Sequence, residues 1–357
     1  MTITKPVRIL VIDDSAFIRQ FLTNILNEAD DLKVLATAGN PLKAIDILKK
    51  QDIDVITLDV EMPHMDGLEF LRLLMRSHPK PVVMISSWTK TNSEIALKAL
   101  SLGAVDFIAK PSMGFREGMN KLKSEIIAKV RGAAAARVAS LKKPEDSVSS
   151  LLFSQPEKGL KETTDKVIAV GASTGGTVAI TEIFKSLSPY IPGLVLIQHL
   201  PGMFTPSFAA SLNEAGRVKV KEAKNGDQIL PGHALVVPGD KSLEVQKSGA
   251  KYFVEVKPPL KGSIYNPSIN HTLFSIAEAV GKNAMGIILT GMGDDGAKGL
   301  KALRESEGYT LAQDEKTSVI YGMPQKAWEI GGAAKQVPLE KIADEIHFWA
   351  GLLKKEG

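Results

Sequence analysis

Two α/β domains, each a mainly parallel, doubly wound sheet with helices on both faces, are what this sequence predicts. Three observations predict it. Short runs rich in Val, Ile and Leu alternate with helical patterns through both halves. Residues able to carry chemistry, Asp59 and Ser173 among them, directly follow such runs, where the carboxyl edge of a parallel sheet falls. Between the halves, Leu141–Asp165 mixes Lys, Pro, Glu, Ser and Gln with few apolar residues, the composition of a tether. A chain of 357 residues suits about two domains, expected at 1–128 and 165–357 with a linker at 129–164.

Composition excludes several classes. The absence of cysteine removes disulfides, thiolate metal sites and cysteine nucleophiles together. No apolar run reaches the ~18 residues needed to cross a bilayer, and the first residues lack the layout of a signal peptide. A cytoplasmic protein, not inserted in a membrane, is therefore expected. A net charge of +4 without a dense Lys/Arg block gives no expectation of nucleic-acid binding.

In the first half, Val7–Ile12 is an apolar strand ending in Asp13-Asp14-Ser15, and Ile18, Phe21, Leu22 and Ile25 mark the following helix. Val34–Ala38 and Val55–Leu58 read as the next strands, the latter ending at Asp59, with Pro41–Lys50 as the helix between. Leu68–Ser77 is helical, Val82–Ser86 a fourth strand, Ser93–Leu102 a helix, and Phe107–Ala109 a fifth strand before Lys110. Leu122–Val138 reads as a last helix.

The strand ends of this half bring Asp13, Asp14, Asp59, Ser86 and Lys110 to one edge. Three converging carboxylates repel one another, and a hard cation such as Mg²⁺, which prefers oxygen ligands, resolves that repulsion. Lys110 and Ser86 suit an added anion. The set fits an aspartate that accepts a phosphoryl group. With Leu-Asp59-Val-Glu61-Met-Pro63-x-Met-Asp-Gly67, Met-Ile-Ser86-Ser and Phe107-Ile-Ala-Lys110-Pro111 in place, residues 1 to about 128 resemble a flavodoxin-like response-regulator receiver domain. The resemblance implies that Asp59 is phosphorylated and that Asp14, Asp59 and the Glu61 carbonyl hold Mg²⁺ with help from Asp13. It also implies that Ser86 and Phe107 reorient as a switch pair.

The second half opens on Val167-Ile-Ala-Val-Gly171-Ala-Ser173-Thr174-Gly175-Gly176. An apolar strand running into Gly-x-Ser-x-Gly is a nucleophile-elbow pattern: the glycines accept a strained turn, and a following helix points free N–H groups at the serine. Later strands are expected at Leu194–Gln198, Val218–Lys221, Ala234–Val237, Tyr252–Val256, Met285–Thr290 and Thr310–Gln313. Turn signals at Gly239-Asp240 and Lys247-Ser248-Gly249 point to an added antiparallel hairpin. Asn266–Val280 and Asp294–Arg304 read as helices.

A serine hydroxyl needs a base and an orienting acid. Of six histidines, His64 and His78 belong to the first half, His347 lies in a terminal amphipathic helix, His271 sits inside a helix, and His233 precedes its strand. His199 directly follows Leu194–Gln198, at the same sheet edge as Ser173. The acid is Asp294 or Asp295, after the strand ending at Thr290; spacing leaves the two open. Glycines in that loop let backbone N–H groups approach a substrate, so the Met292 N–H suits an oxyanion hole, with Thr174 N–H as its partner.

Gly171-Ala-Ser173-Thr174-Gly-Gly-Thr177, Gln198-His199-Leu-Pro, Leu230-Pro-Gly-His233-Ala, Pro238-Gly-Asp240-Lys and Leu289-Thr-Gly-Met292-Gly-x-Asp295-Gly together resemble the chemotaxis protein-glutamate methylesterases. The resemblance selects Asp295 and implies a Ser173-His199-Asp295 triad with support from Thr174 and Met292, acting without a cofactor on methylated chemotaxis receptors. It further implies deamidation of receptor glutamines, a histidine kinase as phosphodonor, and an effector inhibited until Asp59 is phosphorylated. A monomer is expected. The chain departs from the family pattern where Arg-Pro-Ser-Val-Asp is expected and Asn266-Pro-Ser-Ile-Asn270 stands, losing both charges.

Other readings fit less well. A DNA-binding regulator would need a helix-turn-helix output, which the βα-rich second half does not offer. The Gly171–Gly176 turn lacks both the Walker and the dinucleotide signatures. A catalytically silent receptor-binding adaptor is the remaining alternative.

Overall fold

A computed structural model describes residues 5–62, 65–86, 90–110, 119–136 and 166–353. Two units result, Met1–Asp146 and Ser147–Gly357. Pro63, the Leu151-Leu152-Phe153 cluster and the rest of the expected tether from 137 to 165 lie outside the described residues.

The first unit is a five-stranded sheet in the order β2-β1-β3-β4-β5, parallel throughout. Strand β1 (Val7–Ile12) leads through Ser15, which caps α1 (Ala16–Asn27), to β2 (Leu32–Ala38). Helix α2 (Pro41–Lys50), β3 (Val55–Asp59), α3 (Gly67–Ser77), β4 (Val82–Ser86), α4 (Lys90–Ser101), β5 (Asp106–Ala109) and α5 (Met119–Ala135) follow. Every residue of β3 and β4 is buried, as strands covered on both faces require. β2 starts two residues before the expected Val34, because Leu32 is buried and pairs with Val7. The expected boundary at 128 falls inside α5, whose Val130 and Ala133 are fully buried, so core packing continues past it.

The second unit is a seven-stranded parallel sheet in the order β14-β13-β12-β6-β7-β9-β8. Its strands and helices run β6 (Val167–Ala172), α6 (Gly176–Ser186), β7 (Gly193–Gln198), α7 (Thr205–Ala215), β8 (Lys219–Glu222), β9 (His233–Val236), β10 (Ser242–Ser248), β11 (Lys251–Lys257), α8 (Ile269–Ala279), β12 (Ala284–Ile288), α9 (Ala297–Glu305), β13 (Tyr309–Gln313), α10 (Met323–Glu329), β14 (Lys335–Val337) and α11 (Leu339–Trp349). The expected hairpin is β10–β11, an antiparallel pair set apart from the main sheet. Its buried Leu243, Val245, Tyr252 and Val254 share a core with Leu273 and Ile276 of α8.

Two helices begin later than their sequence pattern suggests. α8 starts at Ile269 with Ser268 as its cap, not at Asn266, and α9 starts at Ala297, not at Asp294. The residues left out have other partners: Asn266 Oδ1 accepts the Leu260 N–H, the Ser268 hydroxyl donates to Asp295, and Asp295 accepts the Gly296 N–H. In the sheet order, β6 lies between β7, which follows it, and β12, reached much later. That reversal of strand order opens a crevice at the carboxyl end of β6.

Gly67 abuts the end of β3: a Cβ there would lie 2.0 Å from the Asp59 carbonyl oxygen. Backbone cannot yield as a flexible side chain can, so Gly67→Ala is expected to destabilise the first unit by roughly 1–3 kcal/mol. Urea unfolding of the full chain measures this, and a profile matching the parent would contradict it.

Candidate functional site

At the carboxyl edge of the first sheet, β1 delivers Asp13 and Asp14, and β3 ends on Asp59. Asp13 and Asp59 are fully buried while Asp14 is exposed, and one oxygen from each lies within 4.8 Å of the others. Lys110 places Nζ 3.0 Å from Asp13 and 2.7 Å from Asp59. Ser15 N–H donates to Asp13 (2.8 Å), and Glu61 N–H donates to Asp59 (3.3 Å). Burial, with the adjacent Asp13 charge, pushes the Asp59 carboxyl up to about 6 against the pull of Lys110. Burial likewise raises Asp13, with Lys110 only partly offsetting it. Burial works against the Lys110 ammonium, yet Asp59 and Asp13 outweigh it and raise its pKa. One ammonium among three carboxylates leaves an excess of negative oxygen, a donor set that fits a hard divalent cation.

Ser86 ends β4, and its carbonyl accepts the Lys110 N–H at 2.7 Å. Phe107 is buried in β5, where Lys129 of α5 covers its ring at 4.9 Å and donates to its carbonyl at 2.6 Å. The sequence reading had not singled out Lys129. A pocket of 430 Å³ lined by Asp14, Glu61, Met62 and Asp66 leaves room beside the acidic edge.

In the second unit, β6 delivers Ser173 into the crevice. Its N–H donates to the Thr290 carbonyl (3.1 Å), and its carbonyl accepts from Gly176 N–H (2.8 Å) and Gln198 Nε2 (2.9 Å). The left-handed residue of this turn is Gly175, with φ 78°. A glycine adopts that conformation without steric cost, as expected of the glycines of the turn. His199 follows β7 directly, with its N–H on the Ala172 carbonyl (3.1 Å), which sets it beside the serine strand.

Of the two candidate acids, Asp294 is exposed and Asp295 buried. Asp295 Oδ2 lies 2.9 Å from His199 Nε2. The same carboxylate accepts backbone N–H groups of Ile269 (2.8 Å), Asn270 (2.9 Å) and Gly296 (3.0 Å), and the Ser268 hydroxyl (3.2 Å). Burial alone would raise its pKa, but His199 and the backbone donors outweigh burial and hold it below the usual carboxylate value. Among the described residues, no hydrogen bond joins the Ser173 hydroxyl to His199, and the Met292 N–H has no acceptor. Thr174 is buried, and its carbonyl accepts the Thr290 hydroxyl at 3.0 Å.

Of the other histidines, His347 is buried and its Nε2 accepts the Ser188 N–H, His271 Nε2 lies 3.0 Å from Glu244, and His233 Nδ1 lies 2.9 Å from the Pro231 carbonyl. The two departures from the expected pattern have local partners. Asn270 Oδ1 accepts Gly299 N–H (2.8 Å), and Asn266 Oδ1 accepts Leu260 N–H (3.0 Å). Sequence reasoning missed Tyr265, whose ring stacks on His199, because nothing in its spacing sets it apart from other loop tyrosines.

Family models match two stretches: the CheB methylesterase model over residues 168–346 and the response regulator receiver domain model over 9–123. The chain is 48% identical over 342 residues, 95% of each chain, to a protein-glutamate methylesterase/protein-glutamine glutaminase 2 of Pseudomonas aeruginosa. It is 45% identical, over 96% of each, to a protein-glutamate methylesterase/protein-glutamine glutaminase of Salmonella typhimurium. Among solved structures, the Thermotoga maritima CheB methylesterase catalytic domain matches 51% of this chain and 96% of its own, at 34% identity and a TM-score of 0.49.

The raised Asp59 value has a thermodynamic consequence. A carboxyl raised on folding contributes its stability below its unfolded value, near 3.8, and loses it as pH rises through about 6. In metal-free buffer, Asp59→Asn is expected to stabilise the full chain at pH 7 by up to roughly 3 kcal/mol, less what Lys110 loses. The gain should vanish near pH 4 in thermal scans; equal gains at both pH values would contradict this account.

Proposed function

Because the chain belongs to the CheB methylesterase family and joins that domain to a response regulator receiver domain, we propose that it hydrolyses glutamate methyl esters on chemotaxis receptors through Ser173, His199 and Asp295. The observation that carries this reading is the 2.9 Å contact between His199 Nε2 and the buried Asp295, on the strand end next to Ser173.

The steps follow from that geometry. Asp295 accepts from Nε2–H, which leaves Nδ1 as the lone-pair nitrogen of His199. That nitrogen takes the Ser173 proton as Oγ attacks the ester carbonyl, and the contact tightens when substrate is bound. The oxyanion meets the unpartnered Met292 N–H, with Thr174 N–H beside it. The carbon–methoxy bond breaks, His199 returns the proton, and methanol leaves an acyl-enzyme. Water, deprotonated by His199, then releases glutamate and free Ser173. The same acyl chemistry with ammonia as leaving group deamidates glutamine, an activity that the names of its relatives also carry.

In the receiver domain, Asp59 takes the phosphoryl group from the chemotaxis histidine kinase. Asp13, Asp14, Asp59 and the Glu61 carbonyl would hold Mg²⁺, which supplies charge screening for the incoming phosphoryl group. Lys110 stands ready to neutralise the new anion, and Ser86 and Phe107 form the switch pair. Phosphorylation of Asp59 releases an inhibited esterase; membership of a family that couples these two domains supports this.

Methanol release from methylated receptor membranes tests the reading. Ser173→Ala is expected to lower it a thousandfold or more, and turnover near the parent rate would sink the triad. Asp59→Asn should keep basal release yet fail to respond to a small phosphodonor with Mg²⁺; a response as large as the parent's would refute control through Asp59.

A further inference from the structure

His199 is held at one edge by Asp295, but a single hydrogen bond leaves an imidazole free to turn about it. The ring of Tyr265 lies beside it. The two rings are parallel within 8°, with centroids 4.9 Å apart, so the imidazole and phenol rings stack. The loop that carries Tyr265 is closed on itself. Ser263 Oγ donates to the Tyr265 carbonyl (2.7 Å) and accepts its N–H (3.1 Å), while Asn266 Oδ1 accepts the Leu260 N–H (3.0 Å). The tyrosine is therefore in place before any substrate arrives.

The far end of the ring reaches the other part of the site. An added Cβ at Gly293 would lie 2.6 Å from the Tyr265 hydroxyl, so this tyrosine sits against the Met292–Gly293 backbone. Among the described residues the hydroxyl has no hydrogen-bond partner, so the ring face makes the contact that matters, not the polar tip. Burial, with Asp294 and Asp295 nearby, raises the phenol pKa, which keeps the ring neutral.

We propose that Tyr265 is a positioning residue of the hydrolase site, fixing the rotation of the His199 ring by parallel stacking. This rests on the triad reading above. It acts through His199 and not on the substrate, so its removal lowers kcat more than it changes KM.

The test compares Tyr265→Leu with Tyr265→Phe in the full chain. Two readouts serve: the rate at which a serine-directed fluorophosphonate labels Ser173, and kcat and KM for methanol release. Tyr265→Leu is expected to slow both labelling and kcat roughly tenfold with KM within about twofold, while Tyr265→Phe restores most of the loss because it keeps the ring. Parent-like labelling in Tyr265→Leu overturns the proposal, as does a Tyr265→Phe chain as slow as Tyr265→Leu, which would move the role to the hydroxyl. Thermal melting shows whether both variants fold; a Tyr265→Leu chain that melts with the parent but labels slowly supports positioning over a stabilising role. Failure of the parent chain itself to label overturns the triad reading, and this inference with it.

Discussion

Much of the second unit is arranged around a buried carboxylate, that of Asp295. Moving a carboxylate out of water costs several kcal/mol unless hydrogen bonds replace its hydration. Here the replacement comes from three directions: the first N–H groups of α8, the Gly296 N–H ahead of α9, and the His199 ring. The N-terminus of α8 adds the positive end of its dipole. This explains why α8 and α9 start late: had 266–268 or 294–296 joined the helices, Asp295 would lose either its donors or its place. Asn270, which stands where an acid is expected, gives its backbone N–H to Asp295 while its Oδ1 accepts the Gly299 N–H.

The first unit treats the same electrostatic problem in the opposite way. Asp59 is as buried as Asp295, but its neighbours are another buried carboxylate and a single ammonium. Hydrogen-bond donors lower Asp295, whereas burial and the Asp13 charge leave Asp59 raised. One carboxylate is satisfied and serves as a fixed support. The other is left with unrelieved repulsion, which a cation or a change of chemical state removes. Two parallel sheets, built from similar apolar strands, thus present carboxylates with opposite dispositions at the same relative edge.

Tyr265 and Gln198 complete the support around the serine and histidine. Gln198 ties the Ser173 carbonyl to the end of β7, and Thr290 ties the Ser173 and Thr174 backbone to the end of β12. The ends of β6, β7 and β12 are thereby tied together through the backbone around Ser173.

The alternation of apolar runs and helical stretches made the two parallel sheets legible in the sequence, since strands covered on both faces are buried along their length and so mostly apolar, as β3, β4, β6 and β7 are. Position after a strand was enough to bring Asp13, Asp59, Ser173 and His199 to their sheet edges, because a parallel sheet sends every carboxyl end the same way. Local spacing could not choose between Asp294 and Asp295, which differ only in which one the turn before α9 folds inward. It could not find Tyr265 either, which meets His199 across 66 residues of chain. Nor could it see that the core positions of α5 continue beyond 128. The sequence by itself determined the sheets and the residue types at their edges, through short-range periodicity. Only the tertiary structure decided which acid is buried, what satisfies it and which ring covers the histidine, because those outcomes depend on donors that meet only when α8, α9 and the β6–β12 edge are packed together.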